Sequence, residues 1–98
     1  MSVVIVGGHD RMHCRYKEIC KSYGCKCKVF TQCPVDLGGR IGSPDLVVVF
    51  TGTVAHKMEN IAVRQAERSG AYLKYCHSSG GSALTEALNE YFAGRQRC

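Results

Sequence analysis

No apolar run in the chain is longer than five residues. The longest are residues 3–6 and Leu46–Phe50, far short of the ~20 residues a helix needs to cross a bilayer, so no membrane span is expected. Low-complexity tracts and internal repeats are also missing, which removes linkers and repeat arrays. The chain has no basic helix and no aromatic stripe. Its thirteen Lys and Arg against eight Asp and Glu give a net charge of +5, but they are scattered among elements that also hold Glu18, Glu59, Glu67, Glu86 and Glu90. Nucleic acid is therefore not the expected partner. The strand-like opening leads us to expect no signal peptide, and the seven cysteines are an odd count without finger or ribbon spacing. A cytoplasmic protein with reduced thiols is expected rather than a secreted disulfide framework.

Nucleotide signatures are missing as well. A dinucleotide turn needs G-x-G-x-x-G after the first strand and an acid near the end of the second. Here the turn reads Gly7-Gly8-His9-Asp10-Arg11-Met12, and the second candidate strand ends in Thr31-Gln32-Cys33. There is no P-loop, and no C-x-x-C-H for covalent haem attachment. Paired glycines at a strand end can simply permit a tight turn.

What is present is an alternation of strand and helix. Residues 3–7 and 46–50 are unbroken, β-branched apolar runs, the pattern of strands covered on both faces of a parallel sheet. Residues 25–30 (CKCKVF) and 71–76 (AYLKYC) interleave lysine with apolar residues, as edge strands do. Between them, Met12, Tyr16, Ile19, Cys20 and Tyr23 fall on one helical stripe, with Asp10 as a candidate cap and Gly24 as a stop. A second stripe holds Val54, Met58, Ile61, Ala62 and Ala66, with Gly70 after it. A third holds Leu84, Leu88, Tyr91 and Phe92, with Ser79 or Ser82 as cap. Residues 34–44 offer at best one helical turn around Leu37 and Ile41. The 98 residues are read as a single α/β domain. The expected fold is a small Rossmann-like or flavodoxin-like four-stranded parallel sheet, order 2-1-3-4, with helices on both faces.

That order puts a switch point between strands one and three, where ligands prefer to bind at the carboxyl ends. The loops there are residues 7–11, 31–34, 51–57 and 76–82, and they gather His9, His56, His77, Cys33 and Cys76 with Thr51, Thr53, Ser78 and Ser79. His9, Thr51 and Thr53 should be the most central. Arg11, Arg15 and Lys57, in the first turns of the flanking helices, could add positive charge. The HSSGGS stretch at a helix start has the residue types of an anion cradle, and equally those of plain capping. His9, His77, Cys76 and Cys33 are competent metal ligands from separate loops, so only the fold could assemble them. Cys25 and Cys27 on one extended strand lie about 7 Å apart, too wide for easy chelation by that pair alone.

Taken together, VVIVGGHDRM, RYKEIC, VFTQ, DLVVVFTGTVAHKM and HSSG resemble the bacterial and archaeal family known as domain of unknown function 2325, in its stand-alone, single-domain form. The resemblance implies a cofactor- or gas-binding role, haem in particular. His9, His77 or His56 would then be axial, with Arg11, Arg15, Lys57 and Ser78 toward the propionates. A chain this small would need a second copy to enclose a porphyrin, so a homodimer is expected. The leading expectation is a cytoplasmic binding module with a sensory or carrier role, holding haem, a transition metal or another small ligand. The alternatives are an enzyme acting on a phosphate- or carboxylate-bearing molecule with His9 or His77 as acid or base, and a dimeric interaction domain without a ligand.

Overall fold

A computed structural model describes residues 2–8, 10–32, 35–52, 54–77 and 80–96. The chain alternates β1 (Ser2–Val6), α1 (His13–Ser22), β2 (Lys26–Phe30), α2 (Leu37–Ile41), β3 (Leu46–Phe50), α3 (His56–Ser69), β4 (Tyr72–Cys76) and α4 (Gly81–Gln96). The four strands form one sheet in the order β2-β1-β3-β4, with every pairing parallel. The expected α/β architecture and strand order are therefore those observed. β1 and β3 are central because they alone are apolar on both faces, and every residue of β3 is buried. The flanking strands carry Lys26, Lys28 and Lys74, whose charges need an edge.

Alternation along the strands divides the core in two. Val3, Ile5, Leu46, Val48 and Phe50 face α1 and α4, whereas Val4, Val6, Val47 and Val49 face α2 and α3. The first layer adds Tyr16 and Cys20 from α1 and Leu84 and Leu88 from α4. The second adds Leu37 and Ile41 from the single turn of α2, and Met58, Ala62 and Ala66 from α3. This assignment follows from right-handed crossovers: connections leaving the two central strands in opposite directions put their helices on opposite faces.

The helix starts differ from expectation in part. Asp10 does not cap α1. It opens a 3-10 turn over Asp10–Met12, so Met12 occupies the cap position and makes no side-chain capping bond. Ser82 lies inside α4, one residue past its start, which rules it out as the cap; Ser79 lies outside the described residues. The stops are as read. Gly70 takes the left-handed conformation (φ 72°) that ends α3, its N–H directed at the carbonyls of Ala66 and Glu67.

Candidate ligand site at the carboxyl rim

At the carboxyl ends of the strands, backbone packs against backbone. β1 runs into Gly7 (φ +96°) and Gly8 (φ +88°), a region that L side chains rarely adopt. A Cβ on Gly7 would stand 3.0 Å from Val54 Cβ and 3.2 Å from the Phe50 carbonyl, so the first loop lies against the third. A Cβ on Gly8 would come within 2.7 Å of the Tyr16 hydroxyl. Across the rim, a Cβ on Gly52 would meet the His77 carbonyl at 2.6 Å, which brings the third loop against the fourth. The backbone N–H of Thr51 donates to the Cys76 carbonyl at 2.9 Å, continuing the β3–β4 ladder into these loops. The paired glycines of the opening turn are thus required by close approach.

The fourth loop leads into the 16-residue α4. At its first residue, Gly81, a Cβ would lie 3.3 Å from Ile19 Cδ1 and 3.7 Å from Arg15 Nε. The guanidinium of Arg15, reaching across from α1, therefore stands beside the N-terminus of α4. Helix starts carry partial positive charge and N–H groups that point outward. An arginine there adds a formal charge to an end that already favours anions.

The other anticipated residues are scattered. Thr51 is half-buried at the rim, with Oγ1 3.5 Å from the Cys76 carbonyl, and Arg11 is exposed in the 3-10 turn. His56 and Lys57 face solvent on the first turn of α3. The His56 side chain is 92% exposed, with Nδ1 3.5 Å from Glu59 Oε2, so it is turned outward rather than toward the strand ends. His77 is exposed and borders a cavity of about 280 Å³ along the open edge of β4 with Lys74, Glu86 and Glu90. Cys76 is buried; its Sγ donates to the Ala83 carbonyl at 3.9 Å, and burial pushes its thiol up. That thiol acts as a core group, a poor source of the thiolate a metal requires. Among the described residues, no group of three or more His, Cys, Asp or Glu is placed to hold a metal ion. His9, Cys33, Thr53, Ser78 and Ser79 lie outside the described residues.

Two features escaped the reading of the sequence. Tyr16 counted only as part of an apolar stripe, although a tyrosine buried that deeply has a hydroxyl to place, and it lies under Gly8. Gly52, between two threonines after a buried strand, is the second signal; its lack of a side chain lets loops three and four touch.

The family model described as "Uncharacterized protein conserved in bacteria (DUF2325)" matches residues 2–91. The chain belongs to this family. The DUF2325 match takes in all four strands, the rim loops and most of α4. No curated protein and no solved structure matches the chain. Among the described residues, no helix is long and apolar enough to cross a membrane.

Proposed function

We propose that this DUF2325 chain is a small cytoplasmic ligand-binding module, acting as a homodimer, that takes the anionic group of a small molecule or cofactor at its carboxyl rim. The observation that carries the reading is the placement of Arg15 beside Gly81, where a guanidinium and the start of a long helix converge. The neighbouring loops are held by the glycine contacts, which favours a pre-formed site.

Haem is the sharper version. Its propionates would meet Arg15 and the α4 start, and half-buried Met12 and Val54 offer apolar surface at the same rim. An axial histidine would come from His9 or His77, and the second copy would cover the exposed side of the ring. A metal alone fits less well, because the buried, protonated Cys76 is an unsuitable ligand.

The test is thermal unfolding of the purified chain with inorganic phosphate and, separately, absorbance in the Soret region during haem titration. A phosphate-dependent rise in melting temperature that Arg15→Ala abolishes supports the anion site. A haem-induced Soret shift weakened by the same substitution supports the sharper version. No stabilisation and no spectral change with either ligand would sink the reading.

A further inference from the structure

The bases look scattered along the chain, but the fold gathers several of them at the open edge of β2. This strand pairs with β1 alone. Its free side is the floor of a cavity of about 440 Å³ formed by residues 27–30, with His13 and Lys17 of α1 on one wall and Gly39 and Arg40 of α2 on the other. Because α1 and α2 cover opposite faces of the sheet, the cavity is a slot in line with the strands, where a fifth strand would lie. The backbone of the floor is arranged to receive one. The Phe30 carbonyl accepts from the Gly7 N–H at 2.9 Å, on the β1 side. Backbone groups of successive strand residues point to alternate sides, so Lys26, Lys28 and Phe30 turn theirs toward β1, and Cys27 and Val29 turn theirs into the slot. A strand laid there would direct its own side chains in turn toward α1 and toward α2.

Both walls are basic, and no acid lines the slot. Lys17 and Lys28 are exposed, and neither pairs with a carboxylate among the described residues; Lys28 Nζ donates instead to the Arg40 carbonyl at 3.2 Å. Arg40 has Asp36 at 2.6 Å. Lys21, one turn beyond Lys17 on α1, and Lys26 on β2 extend the basic strip toward the amino end of the strand. The other sheet edge is different in kind: Lys74 of β4 is paired with Glu90, and Glu86 borders the cavity beside it.

We propose that the β2 edge docks an acidic segment of a partner protein as an added fifth strand, with consecutive Asp or Glu residues answering the bases on the two walls. Consecutive acids are required because both faces of the added strand meet positive charge. A second copy of this chain does not supply them, since no two of its eight acids are adjacent. A nucleic acid backbone fits less well: phosphate oxygens only accept hydrogen bonds, so the carbonyls of Cys27 and Val29 would lose water without gaining a donor. An extended peptide meets both the N–H and the C=O groups. The surface uses none of the residues of the proposed anion site.

The experiment titrates the full chain into fluorescein-labelled hexaglutamate at low salt, with fluorescence anisotropy as the readout and amide hydrogen exchange followed in parallel. Binding should saturate, and exchange should slow at the Cys27 and Val29 amides. Lys17→Gln and Lys28→Gln, both surface changes that spare the core, should each weaken the affinity roughly two- to fivefold, the effect of one exposed charge. Hexaglutamate N-methylated at every residue keeps its charge but cannot donate to the strand, and it should bind roughly tenfold more weakly. No saturable binding, equal affinity for the methylated peptide, unchanged exchange at Cys27 and Val29, or tighter binding of a single-stranded oligothymidine of the same charge would each overturn the proposal.

Discussion

The two faces of the sheet are built from different chemistry. The layer under α1 and α4 holds the buried aromatic rings and the buried thiols: Tyr16 packs on Phe50 with ring centroids 5.2 Å apart, Tyr72 meets Tyr91 at 5.3 Å, and Cys20, Cys25 and Cys76 are all buried there. The layer under α2 and α3 has only Val, Leu, Ile, Met and Ala as its fully buried members. The first face also carries α1, whose consecutive residues serve three directions. Arg15 reaches the start of α4, Tyr16 enters the core beneath Gly8, and Lys17 lines the β2 groove. One helix thus links the proposed anion site and the β2 groove to one half of the core, and the aliphatic face supports that half.

The contrast can be broken in several ways. Phe50→Ala removes the ring that Tyr16 stacks on and should cost about 4 kcal/mol in urea unfolding. Met58→Leu, a volume-conserving change on the aliphatic face, should cost less than about 1.5 kcal/mol. Equal losses would mean that the two layers do not differ in how tightly their shapes are specified. Next in size, Gly8→Ala combines positive φ with a clash on the Tyr16 hydroxyl and should destabilise by about 2–3 kcal/mol while weakening any phosphate-dependent stabilisation. A stable variant that still responds to phosphate would detach the first loop from the site.

Alkaline titration separates the faces by charge. Burial raises Cys25 and Cys76, and its hydrogen bond to Cys27 followed by burial raises Cys20, against a lowered Cys27. In the unfolded chain these thiols return to their ordinary 9.0. Below that value all three are protonated in both states and their contribution is complete. Above it the unfolded chain sheds protons that the fold retains, so stability falls as pH rises toward the folded values. The urea midpoint should therefore drop between about pH 8 and pH 10. A constant midpoint would show that the sulfur-rich layer is not a protonated core. The smallest effect expected is at His56: its solvent-turned ring should make His56→Ala neutral within about 0.5 kcal/mol, with ligand response intact.

Most of the fold was legible because burial on both faces leaves an unmistakable pattern. The LVVVF run is β3, residue for residue, and lysines placed the other two strands at the edges. Even the single turn between Leu37 and Ile41 was readable from two apolar residues four apart. The caps were less legible, since a 3-10 turn and an α-helix start share the same residue preferences around Asp10. The rim was legible as a location, because strand ends must converge there. Its internal contacts were not, because Gly52 against His77 and Arg15 against Gly81 join residues 25 and 66 positions apart.

The most direct measurement follows backbone amide resonances of the labelled chain as inorganic phosphate is added. The account predicts saturable shifts concentrated at Gly8, Gly52, His77, Gly80 and Gly81, reduced in Arg15→Ala. Shifts confined to the amino ends of the strands around Asp45 and Lys26, or none at any phosphate concentration, would contradict it.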